Sequence, residues 1–211
     1  VLGVAIAAVV GFGGGDDEPA ASEVLPPATA KVTRQTLVDA ETNDGELAYG
    51  TIRTLTAKIS GTVTWLPAAG ATVERGNTLV RIDNARVVLL YGSLPAYRTL
   101  STGSQGRDVK QFEQNLEKLG YGNFTVDDEY TSATADVVRE WQDDLGLDES
   151  GSVTPGQIVY ADGEVRVDAV SAATGDSVQP GGALIDYTGT ARVVTVTLDV
   201  DDQRLAGKGA A

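Results

Sequence analysis

Leu100-Ser101-Thr102-Gly103-Ser104-Gln105-Gly106-Arg107-Asp108-Val109 opens the one stretch, running on to Leu147, that reads as helical in a chain otherwise patterned for strands. Asp108 is an N-cap residue type just after the Gly103–Gly106 turn, and Val109, Phe112, Leu116 and Leu119 recur behind it at helical spacing. Gly120 supplies the stop. A second helix is expected from Thr131 or Ser132, with Val138, Trp141 and Leu145 on one stripe and Gly146 at its end. Two short amphipathic helices joined by a turn would bury a small shared core.

Leu100, Gly103, Gly106, Asp108 and Val109, followed by Leu116, Leu119, Gly120 and Tyr121, resemble the opening of the three-helix peptidoglycan-binding domain. Asp127 to Thr134 lies where that family has its turn, and Val137-Val138-Arg139-Glu140-Trp141-Gln142 with Leu145-Gly146-Leu147 resembles its ending. Asp128 and Thr131 stand where the family has turn glycines, and Gly151 to Ile158, where its third helix would begin, runs into strand-like Val159-Tyr160. The resemblance implies a helical insert over 98–158 that binds peptidoglycan, with Arg107, Tyr121, Asp127, Tyr130 and Gln142 as contact residues.

Outward from this insert, two flanking segments repeat one pattern. Gly70, Val73, Gly76 and Leu79 match Gly175, Val178, Gly181 and Leu184, each pair separated by the same 105 residues (70 to 175). The glycines suit turns of positive φ, and the Val and Leu positions point into a thin β-sandwich. Neither half has enough strands to stand alone, so the halves should pair. The expected fold class is therefore α+β and mostly β: a split sandwich with a small helical insert.

The repeat resembles the two half-motifs of a biotinyl/lipoyl-like domain, placed over 57–97 and 159–190. Those carriers hold their cofactor on a hairpin Lys, whereas Ile82 to Val87 here offers Arg86, which cannot take it. No cofactor is therefore expected. The arrangement also resembles the membrane fusion proteins, HlyD-like adaptors of export pumps, in which a helical element separates two lipoyl-like halves. Arg192 to Val200, with Asp201 to Gly209, resembles the start of those proteins' β-barrel over 191–211, and 31–56 has the pattern of further barrel-type strands, with Asn43-Asp44-Gly45 as a turn. This resemblance implies an ABC-type transporter ATPase and permease as partners, with a possible homo-oligomer.

At the N-terminal side, Val1 to Phe12 is apolar and reads as part of a membrane anchor over 1–15. Pro19, Pro26 and Pro27 among Ala, Ser and Glu give 16–30 the composition of an extended linker. The expected location is the cell membrane, with the bulk of the chain on the wall side.

The chain has 211 residues, 42% of them hydrophobic, enough for a real core. Its net charge of −14 argues against nucleic-acid binding, which needs clustered Lys and Arg. With neither Cys nor His, these residues form no disulfide and no His-based catalytic arrangement. The acids at Asp127-Asp128-Glu129 and Asp143-Asp144 could serve sugar hydrolysis or calcium, but among 30 Asp and Glu they read as a solvated face, so neither catalysis nor a metal is expected. Gly103 and Gly106 lack a Walker-type Lys and read as a turn.

Trp141 falls on the apolar stripe and reads as core, whereas Tyr121 and Tyr130 are expected at the surface, where aromatic faces suit sugar rings. Gln142 can hydrogen-bond either backbone or a peptide stem, and Arg107 and Lys110 can meet muropeptide carboxylates. Two functions remain in view: a non-catalytic envelope adaptor, or the targeting portion of a wall hydrolase or transpeptidase.

Overall fold

A computed structural model describes residues 33–36 and 42–200. The expected anchor, the linker and the end of the barrel-type segment lie outside them. Among the described residues, no helix is long and apolar enough to cross a membrane.

Residues 43–200 fall within one compact unit. Its elements run β1 (Gly45–Ala48), β2 (Arg53–Thr56), β3 (Gly61–Trp65), β4 (Thr72–Val73), β5 (Thr78–Ile82) and β6 (Ala85–Tyr91). The chain continues through α1 (Arg107–Leu119), α2 (Ser132–Leu145), β7 (Ile158–Ala161), β8 (Val165–Val170), β9 (Ser177–Val178), β10 (Ala183–Thr188) and β11 (Val193–Val196). The fold is mostly β with two helices between the halves, as the residue pattern predicts.

The two halves interleave. One sheet has the order β2-β10-β8-β4 and the other β7-β6-β5-β3-β9. The short strand β4 leaves its own half to pair with β8, and its repeat partner β9 pairs with β3. Each half thus completes the other's sheet. Val73, Leu79, Val178 and Leu184 all enter one core with Leu55, Val63, Ile82, Val167 and Ile185. Gly76 and Gly181 adopt φ of 81° and 93°, the left-handed turn that the repeat requires of both.

Strand β6 joins the sandwich to the helices. Val87 and Leu89 belong to the sandwich core, while Val88 and Leu90 belong to a second core with Val109, Phe112, Leu116, Val138 and Trp141. A strand buried on both faces reads as a continuous apolar run, and Val87-Val88-Leu89-Leu90 is one. The parallel partner of β6 is β7, reached through both helices, so the helical segment forms a crossover within the sheet. No third helix follows α2; after a turn, Gln157 runs directly into β7.

The helices begin differently. For α2, Thr131 caps the Thr134 N–H and the Thr134 hydroxyl returns a bond to the Thr131 N–H. For α1 the expected cap is corrected: Gly106 occupies it with no side-chain bond, and Asp108 lies inside the first turn facing Arg98. Gly120 and Gly146 end the helices in the left-handed conformation, as their positions predict. Asn43 and Asp44 do not turn but lead into β1, which pairs with β11 as a two-stranded ribbon.

Candidate functional site

Two amide side chains fasten α1 to the sandwich. Asn115, 3% exposed, accepts from Tyr91 N–H at 2.8 Å and donates to Tyr91 C=O at 2.8 Å, so a helix side chain completes the end of β6. One turn earlier, Gln111 accepts from Leu94 N–H at 3.0 Å and donates to Leu94 C=O at 2.8 Å. Gly92 lies between the two clamps. A Cβ there would sit 2.1 Å from Gln111 Cδ, so any side chain at this position would push the Gln111 amide out of its clamp.

The clamps leave an open cleft of about 380 Å³ along α1, lined by Tyr91, Gly92, Ser93, Leu94, Arg107, Lys110, Gln111 and Gln114. Arg107 and Lys110 are exposed, three residues apart on the helix, and form no ion pair among the described residues. No acidic side chain lines the cleft. Arg75 adds charge behind it, with its guanidinium carbon 4.4 Å from the Tyr91 ring centroid.

Buried polar bonds hold the rest of the helical module. Glu113, 0% exposed, accepts from Thr134 Oγ1 at 2.8 Å and from Asp127 N–H at 3.0 Å, tying α1 to the start of α2. Burial raises its pKa above the ordinary glutamate value, against the opposing effect of those two donors; the Asp127 carboxylate adds to the rise. Asp108 receives Arg98 Nε at 2.7 Å and Nη2 at 2.9 Å, and this bidentate pairing lowers its pKa while raising that of Arg98. The opening loop pairs with the turn before α2: Gly103 N–H donates to Tyr130 C=O, Tyr130 N–H to Ser104 C=O and Gly106 N–H to Asp128 C=O. Leu100 and Val153 exchange two bonds at 2.9 Å and close the module.

Comparison with known proteins places this geometry. Residues 105–158, from the opening loop to the first residue of β7, match the family described as "Putative peptidoglycan binding domain". This segment is a peptidoglycan-binding domain. A curated relative, the chloroplastic protein disulfide isomerase pTAC5 of Arabidopsis thaliana, is 37% identical over 82 residues, covering 36% of this chain and 21% of that protein. The chain thus spans about a fifth of the relative's length. Thiol–disulfide exchange requires cysteine, and these 211 residues contain none. No solved structure matches the chain.

Within the peptidoglycan-binding domain the five expected contact residues separate. Arg107 lines the cleft. Tyr121 is partly buried after α1, and its hydroxyl donates to Asp144 Oδ2 at 2.7 Å; burial, then that carboxylate, raises its pKa. Asp127 is partly buried and accepts from Glu129 N–H at 2.8 Å.

The other two contradict their expected roles. Tyr130 is 0% exposed: its ring stacks on Phe112, and its hydroxyl donates to Gly151 C=O at 2.9 Å, so it is core and not a sugar platform. Gln142 is also 0% exposed. Its amide accepts from Gly151 N–H and donates to Ser152 C=O, so of the two readings left open the backbone one holds.

Sequence reasoning missed the cleft's other wall. Ser93 and Tyr91 precede the family segment, and Gln114 reads as an ordinary solvated helix residue. Tyr97, 63% exposed, is the domain's outward-facing aromatic neighbour in place of Tyr130.

Proposed function

We propose that the chain is a non-catalytic cell-envelope adaptor, a membrane-fusion-protein-like subunit whose inserted domain holds it to peptidoglycan beside an ABC-type transporter. The supporting observation is the interleaved sandwich, two repeated halves divided by the wall-binding domain. Such a body has the organisation of the split lipoyl-like adaptors, with the usual helical element replaced. Tethering at the membrane would make many weak wall contacts sufficient, because a held partner meets the polymer at high effective concentration. The protein would act on the wall side of the membrane.

The test joins two measurements on the full-length product. Purified peptidoglycan should pellet the protein, and cross-linking in native membranes should trap it against a transporter permease. Pelleting without a permease cross-link would leave wall binding and remove the adaptor role. Clearing of a wall-impregnated gel by the full-length product would instead favour the other reading, the targeting portion of a hydrolase.

Deleting residues 100–147 is a poor control, because that segment covers Val88 and Leu90. Exposing two such side chains costs about 3–6 kcal/mol. Point variants in the cleft avoid this.

A further inference from the structure

The cleft along α1 favours one chemical part of the wall polymer. Peptidoglycan has glycan strands, whose apolar ring faces suit aromatic platforms, and peptide stems, which present amides and free carboxylates. The aromatic side chain in the cleft is poorly placed for stacking: Arg75 covers the Tyr91 ring at 4.4 Å, and the Tyr91 hydroxyl accepts from Arg75 N–H at 3.1 Å. What the cleft offers instead is two cations with no ion pair among the described residues, the Gln114 amide and the Ser93 hydroxyl.

In a chain with 30 Asp and Glu against 16 Lys and Arg, a cleft lined by two cations and no acid is a local reversal of sign. Repulsion from the rest of the surface disfavours a polyanion that would spread across it, while a short acidic segment fits the cleft alone.

We propose that this cleft binds the peptide stem of peptidoglycan, with Arg107 and Lys110 taking a stem carboxylate and Gln114 and Ser93 taking its amides. The site belongs jointly to the inserted domain and to the sandwich. One wall is α1, and the other is the Tyr91–Leu94 segment that Gln111 and Asn115 hold against it. A wall-binding domain placed elsewhere would lack the second wall. This inference rests on the peptidoglycan reading and narrows it. A phosphate polymer attached to the wall would also meet two cations, but it would leave the amide-matching groups unused.

The test uses the full chain, a synthetic stem peptide with free carboxylates, the same peptide amidated, and peptide-free glycan strands, followed by titration calorimetry. The free peptide should bind and weaken as salt is raised, and amidation should weaken it roughly tenfold, the scale of one charge-assisted hydrogen bond. Arg107→Gln combined with Lys110→Gln should do the same, while Lys118→Gln, exposed on the same helix outside the cleft, should change nothing.

Equal binding of amidated and free peptide, preference for peptide-free glycan, or an unchanged double variant would overturn the proposal. So would retention on intact wall that vanishes once phosphate polymers are stripped from it. Retention on stripped wall with no affinity for the peptide would defeat this site while leaving wall binding intact; no retention on any wall preparation would defeat both.

Discussion

Asn115→Ala tests the join between helix and sandwich. The side chain makes bonds of 2.8 Å to both the N–H and the C=O of Tyr91, and a third of 2.7 Å back to Gln111 C=O. Removing it forfeits two bonds between elements and leaves backbone groups without those partners, at a site where Asn115 itself is 3% exposed. A lost bond of this kind is worth about 1 kcal/mol and a stranded buried group about 1–3 kcal/mol, so we expect a loss of about 3 kcal/mol.

Urea unfolding followed by tryptophan fluorescence reads it, since Trp141 is buried in the adjoining core. Gln114→Ala, exposed one position earlier, should stay within about 0.5 kcal/mol of wild type. Asn115→Asp sharpens the test. The introduced carboxylate still accepts from Tyr91 N–H but faces two carbonyls, so at neutral pH it should be at least as damaging as alanine and recover as acid restores a donor. A loss below about 1 kcal/mol for alanine, or a neutral-pH aspartate variant as stable as wild type, would refute the two-point clamp.

Three other perturbations test neighbouring features. Gly76 and Gly181 are repeat partners with the same backbone conformation, but a Cβ at Gly76 would meet Leu119 Cδ2 at 2.5 Å while one at Gly181 meets nothing. Both alanine variants should lose about 1 kcal/mol from positive φ, and Gly76→Ala about 1 kcal/mol more, an excess that Leu119→Ala should abolish in a double-mutant cycle. For Glu113, the raised pKa means that the folded state holds the proton more tightly than the unfolded state. Its contribution is therefore full below the ordinary value of 4.5 and is lost as pH climbs from there through the folded value; Glu113→Gln should flatten that decline in a pH series of urea midpoints. Tyr130→Phe should cost about 1–2 kcal/mol by stranding Gly151 C=O, whereas Tyr121→Phe, giving up a bond at a partly exposed site, should cost under about 1 kcal/mol in the same assay.

The parts legible in the sequence were those carried by periodicity and by backbone-specific residues. The apolar spacing of Val109, Phe112 and Leu116, the stops at Gly120 and Gly146 and the glycine repeat each constrain the main chain directly. What stayed hidden is polar. Gln111, Asn115 and Glu113 have the residue types of a solvated helix face, and only the arrival of β6 and the α2 cap turns them inward. The burial of Tyr130 and the choice between the two readings of Gln142 stayed hidden for the same reason, since their partner, the backbone near Gly151, comes from a turn whose course no local pattern reveals. Asp108 has a helix-cap residue type, but a guanidinium ten residues earlier in the chain claims its carboxylate.

The exchange of β4 and β9 has a temporal consequence. As the polypeptide is made, N-terminal part first, residues 53–91 cannot close their sheet until residues 165–188 have followed, with the whole peptidoglycan-binding segment in between. Such distant pairings make assembly slow and leave strand edges open while it waits. The same interlacing works in reverse once the protein is folded. A proteolytic nick in the loop between the helices would leave two fragments, each still holding a strand of the other, and they would remain together until denatured.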